Sequence, residues 1–134
     1  MLDSSIQAAS VKVQEDNKKK LGIILYTSPT TSQFWFGIEI AKRALAKGYG
    51  VRMFAWGDSV YALYGSGSTG AYSKASNELV SMLSSGNLVL DVCTTCIKSR
   101  GLTNSNPIAG ANLSGMHKIP EMIKTCHKTL AMIP

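Results

Sequence analysis

The sequence predicts a single α/β domain built on a mostly parallel sheet. Two continuous apolar runs, Leu21–Tyr26 and Val51–Trp56, mark strands buried on both faces. Between them lies a stripe of apolar residues at helical spacing, and the alternation repeats through Leu88–Val92. At 134 residues, 45% of them apolar, the chain is sized for one domain with one core that folds without covalent staples.

Residues 1–20 are polar, carry four Lys against three acids, and offer only Ile6, Val11 and Val13 as apolar anchors. They are expected to form an N-terminal polar arm, with the folded domain spanning residues 21–134. After the first strand, Thr31 or Ser32 caps a helix over Gln33–Lys47, in which Phe34, Ile38, Ala41 and Leu45 share one face and Gly48 ends the last turn. Phe36, Ile40 and Ala44 make a second stripe, so this helix has apolar surface for the sheet and for either its own core or a partner subunit. The Val51–Trp56 strand completes a βαβ unit.

Ser59–Tyr64 is expected to form one helical turn, and Gly65–Gly70 a flexible loop. A helix follows over Ser73–Ser84, with Ala75, Leu79 and Met82 on one side and Gly86 beyond its end; the Leu88–Val92 strand comes next. Leu102–Ser114, rich in Asn, Ser and Gly, reads as a long loop holding a short strand at Pro107–Ala109. A helix over Met116–Lys124 and a strand over Lys128–Ile133 end the chain.

The net charge of +6 is unevenly placed: Lys98, Arg100, Lys118, Lys124 and Lys128 face only Glu121 in the last third. Such a surface suits an anionic small molecule or an acidic partner protein, and no nucleic-acid motif accompanies it, so direct nucleic-acid binding is not expected. No apolar run approaches the ~20 residues of a membrane helix. Three cysteines without a secretory leader point to a reducing compartment, and the expected location is cytoplasmic.

The chemistry is expected where the third strand breaks into Cys93-Thr94-Thr95-Cys96, followed by Lys98 and Arg100. A helix beginning near Cys93 would present unpaired N–H groups, and the two cations would add to the stabilisation of a thiolate. A thiolate attacks sulfur, so the pair suits thiol exchange or carriage of a transferable sulfur group, whereas inert cysteines would simply be small buried hydrophobes. Ligands of open parallel sheets bind beyond the carboxyl ends of the strands, which puts Tyr26–Ser32, Trp56–Asp58 and Cys93–Cys96 on one rim. The candidate catalytic residues are Cys93 and Cys96. Lys98, Arg100, Ser28, Asp58, Ser114 and His117 are the candidate binding residues, the last two lying where the final helix opens.

Two other motifs are rejected. Gly65-Ser66-Gly67-Ser68-Thr69-Gly70 matches the dinucleotide fingerprint in letters, but the preceding strand ends at Trp56, too early for the first glycine to sit in the strand-to-helix turn. Cys93, Cys96, Cys126 and His127 make a nominal zinc set, yet adjacent residues point apart and would strain a tetrahedron. Neither a cofactor nor a metal is expected.

The order of features resembles the DsrE/DsrF-like sulfur-relay family, most closely its TusD-like members, in a two-cysteine variant. The matching pieces are the Leu21–Tyr26 strand, the helix ending in Ala46-Lys47-Gly48-Tyr49, and Trp56-Gly57-Asp58-Ser59-Val60-Tyr61-Ala62. Asp91-Val92-Cys93 leading to Lys98-Ser99-Arg100-Gly101-Leu102 and Leu113-Ser114-Gly115-Met116 complete them. The resemblance implies a flavodoxin-like three-layer α/β/α fold, assembly into homo-trimers or hexamers, and a sulfane-sulfur group, persulfide or thiosulfonate, carried on Cys93. It further implies a small sulfur-carrier protein or a rhodanese as donor or acceptor, in a carrier with transferase character rather than a turnover enzyme. Cys96 departs from the TusD-type pattern; it would resolve, share or lock the adduct. The alternatives are a dithiol/disulfide oxidoreductase using Cys93 and Cys96, and a non-catalytic binding subunit.

Overall fold

The computed structural model describes residues 19–65, 68–103 and 106–133; residues 1–18 of the expected arm lie outside the described residues. In chain order the elements are β1 (Lys20–Leu25), α1 (Ser32–Ala46), β2 (Gly50–Ala55), a 3-10 helix (Gly57–Leu63), α2 (Ala71–Leu83), β3 (Leu88–Cys93), α3 (Thr94–Ser99), β4 (Ala111–Ser114), α4 (Lys118–Thr125) and β5 (Lys128–Met132). The five strands form one sheet in the order β4-β3-β2-β1-β5, and every pair is parallel. The expected α/β domain is therefore present, with a wholly parallel sheet.

The register aligns Ile23 with Met53 and Met53 with Leu90, so alternate residues of β1, β2 and β3 share one face. Ile23, Leu25, Val51, Met53, Ala55, Leu90 and Val92 are all at most 1% exposed there. Each such Ile, Leu or Met side chain contributes roughly 1.5–3 kcal/mol by leaving water. Helix α1 covers this face through Phe34, Ile38 and Ala41, capped by Thr31 Oγ1, which accepts the Phe34 N–H at 3.3 Å. Its close approach depends on Gly37, where a Cβ would stand 2.9 Å from Leu25 Cδ2 and 2.7 Å from Met132 Cγ. Helix α2 packs beside α1 and against β3, with Lys42 paired to Glu78 at 3.4 Å.

The opposite face is covered by α4. Gly22 lies an odd number of residues from Leu25, and a Cβ there would meet Met122 and Cys126. The layers are thus α1 and α2, the sheet, and α4, a flavodoxin-like three-layer arrangement. Helix α3 sits at the carboxyl end of β3.

One expected element is misplaced. The short strand lies at Ala111–Ser114, not at Pro107–Ala109. Ile108 N–H donates instead to the Leu63 carbonyl at 2.9 Å, tying this stretch to the end of the 3-10 helix. Ala111–Ser114 pairs with Leu90–Cys93 as an edge strand, and its half-exposed Ala-Asn-Leu-Ser lacks the apolar run that marks a buried strand.

Candidate functional site

Cys93 ends β3 and is the N-cap residue of α3, as the apolar run breaking into Cys-x-x-Cys predicts. Helix α3 is only six residues long and places Cys96 in its first turn. All three cysteines are free thiols. Cys93 is 1% and Cys96 7% exposed, so the pair is more enclosed than a reactive thiol usually is.

The feature that distinguishes the two sulfurs comes from the start of the 3-10 helix that follows β2. Gly57 N–H donates to Cys96 Sγ at 3.2 Å. Gly57 adopts φ 63°, and a Cβ there would lie 2.7 Å from the Tyr26 ring, so both backbone conformation and space require glycine. Several contacts fix this donor. Ser59, fully buried, donates to the Leu25 carbonyl at 2.6 Å and accepts the Trp56 N–H at 2.9 Å. Tyr26 and Trp56 pack ring against ring with centroids 4.5 Å apart.

Arg100 fastens α3 to the same segment. Its Nε and Nη2 reach Asp58 Oδ1 at 3.1 and 2.9 Å, and Nη1 donates to the Cys96 carbonyl at 3.1 Å. The candidate binding residues Arg100 and Asp58 are therefore partners of each other.

Burial pushes the Cys96 thiol above its ordinary range; the Gly57 N–H and the Arg100 charge oppose the rise, and the neighbouring Cys93 thiol adds to it. Cys96 is thereby kept protonated near neutral pH.

The other candidates fall at different distances from this centre. Ser114 pairs with Cys93 across β3 and β4, and its carbonyl accepts the Thr94 hydroxyl at 2.6 Å. His117 is exposed and folds back over Gly115 just beyond β4. Lys98 is exposed and, among the described residues, has no ion-pair partner; with Thr94, Tyr64, Ile97 and Leu113 it lines a cavity of about 220 Å³. Ser28 is engaged locally, with Thr30 Oγ1 at 2.9 Å and its own carbonyl accepting from Thr31, and the contacts do not join it to the cysteines. The sheet reverses its direction of growth between β1 and β5, whereas the cysteines end β3, so the usual crevice of an open sheet is not where they lie.

Cys126 and His127 lie at the opposite end of the sheet. Cys126 packs near Gly22, and His127 Nδ1 accepts the Lys20 N–H at 3.2 Å. No cluster of potential metal ligands occurs among the described residues. The glycine-rich stretch follows the 3-10 helix rather than a strand, and the Gly65 N–H donates to Ser76 Oγ at 2.8 Å. Residues 66–67 of it lie outside the described residues.

Two residues at the centre escaped sequence reasoning. The Gly57 backbone donor carries no side-chain signature, although a glycine directly after a strand is a visible cue. Asp91 shares the Cys93 face of β3, is 3% exposed, and its Oδ2 has no hydrogen-bond partner among the described residues. Among the described residues, no helix is long and apolar enough to cross a membrane.

The family model described as DsrE/DsrF-like matches residues 19–132. Among solved structures, the chain is similar to the ychN protein from E. coli, with a TM-score of 0.68 and 20% identity over 84% of this chain and 98% of that one. At that identity the likeness shows the fold. No curated protein matches the sequence significantly.

Proposed function

Because the chain belongs to the DsrE/DsrF-like family, matched over residues 19–132, we propose that it carries sulfur on Cys93 and passes it to a cysteine of a partner protein. The observation that carries this proposal is the paired thiols at the end of β3, with a fixed backbone N–H aimed at one of them. Cys93 attacks the donor as a thiolate, holds the sulfane sulfur, and yields it to an acceptor thiolate by exchange. Arg100 and Asp58 hold α3 against the 3-10 helix, so the sulfurs keep their relative position.

The ammonium of Lys98, which has no ion-pair partner among the described residues and lines the adjoining cavity with Thr94, supports an anionic cargo, a persulfide or a thiosulfonate. Donor and acceptor would be a small sulfur-carrier protein or a rhodanese. Burial of both thiols means that transfer to a cysteine of a partner protein requires the rim around Thr94 and Ser114 to open, whereas a small persulfide needs less room.

Loading with a small-molecule persulfide, read by intact-mass spectrometry, tests the proposal. A one-sulfur adduct is expected on the wild type and absent from Cys93→Ser. An adduct that persists in Cys93→Ser would remove Cys93 from the role.

A further inference from the structure

We propose that Cys96 resolves the adduct carried on Cys93, releasing the sulfur as hydrogen sulfide and closing a Cys93–Cys96 disulfide. The inference rests on Cys93 being the sulfur carrier and adds a second fate for its cargo.

Cys93 and Cys96 occupy the N-cap and the first turn of α3, three residues apart, a spacing that brings the two side chains together on one side of the turn. Gly57 N–H occupies a lone pair of Cys96 Sγ, which fixes the sulfur on the side of the turn it shares with Cys93 and leaves its S–H free to turn. The donor cannot wander: φ 63° and the Tyr26 ring pin Gly57, Ser59 ties its segment to β1, and Asp58 ties it to Arg100. A thiol held in this way against its neighbour has a large advantage over any thiol in solution. With the pair at 1% and 7% exposure, thiols from solution reach the adduct more slowly than the adjacent Cys96 does. Burial disfavours the Cys96 thiolate, so Cys96 enters the step with a proton to give.

The step balances without any outside reagent. Cys96 gives up its proton as its Sγ attacks Cys93 Sγ, the bond between Cys93 Sγ and the outer sulfur breaks, and the outer sulfur leaves with that electron pair. The Cys96 proton goes to the departing hydrosulfide. The sulfane sulfur is reduced by two electrons, and the two cysteine sulfurs are oxidised to the disulfide. Exchange with an external dithiol then restores both thiols. Cys126 lies at the far end of the sheet and takes no part.

The test follows one turnover. The full chain is loaded with glutathione persulfide, freed of donor, and followed by intact-mass spectrometry and a sulfide assay, alongside Cys96→Ser, Cys96→Ala and the control Cys126→Ser. In the wild type and the control, the one-sulfur adduct should decay to a species two hydrogens lighter than the dithiol, with one equivalent of sulfide. Both Cys96 variants should hold the adduct about tenfold longer or more, without sulfide. If the wild type holds the adduct as long as the Cys96 variants and forms no disulfide, the resolving role is overturned while the carrier role stands. If no adduct forms in any of the four, both are overturned.

Discussion

The backbone N–H of Gly57 lies 3.2 Å from Cys96 Sγ across a sequence separation of 39 residues. This one contact joins the start of the 3-10 helix after β2 to the turn that holds the thiols. Replacing Gly57 by Ala puts a side chain at φ 63° and against the Tyr26 ring, and should cost about 1–3 kcal/mol or more. Urea titration measures the loss, and faster alkylation of Cys96 should accompany it. Wild-type stability with an unchanged alkylation rate would refute the role of this contact.

Arg100 and Asp58 act as a clasp rather than as a source of stability. Asp58 is 60% exposed at its side chain, so Asp58→Ala should cost less than about 1 kcal/mol. Arg100→Ala should nonetheless slow sulfur loading of Cys93 by about tenfold through misplaced α3. Arg100→Lys should not rescue it, because a point charge cannot bridge Asp58 and the Cys96 carbonyl together. Loading rates and melting curves on the three variants decide the matter.

Cys96 and Cys126 both titrate above the ordinary thiol value of 9.0, chiefly because burial disfavours the thiolate. A raised folded pKa contributes stability that is complete below the unfolded value and lost as pH rises toward the folded one. Stability should therefore hold near neutrality and fall from about pH 9 upward. A Cys96→Ser, Cys126→Ser double variant should show a flatter alkaline limb in urea melts; an equally steep limb would assign the loss to other groups.

Phe36 is 62% exposed on the second apolar stripe of α1, the face for which the sequence offers a partner subunit. If a second copy covers it, Phe36→Asp should lower the mass seen by light scattering. Its effect on the stability of one chain should stay within about 0.5 kcal/mol, as for other surface changes. A wild-type protein that is already monomeric would dispose of this expectation.

The strands were legible because buried parallel strands are continuous apolar runs, and Leu21–Tyr26, Val51–Trp56 and Leu88–Val92 fall on β1, β2 and β3. The thiol pair was legible as a motif, down to Cys93 at a helix start. β4 was not, since an edge strand of four half-exposed residues has no run to read. The joining of β5 to β1 pairs two strands far apart in sequence, a long-range relation that pattern alone does not encode. The pairing of Arg100 with Asp58 depends on the end of α3 meeting the 3-10 helix in space, so sequence reasoning counted both as ligand contacts.

The most direct measurement loads a Cys96→Ser protein with one sulfur on Cys93, mixes it with a reduced single-cysteine sulfur-carrier protein, and weighs both partners over time. The account predicts that the sulfur leaves Cys93 and appears, atom for atom, on the acceptor cysteine. Sulfur that stays on Cys93, or is lost as sulfide without reaching the acceptor, would contradict it.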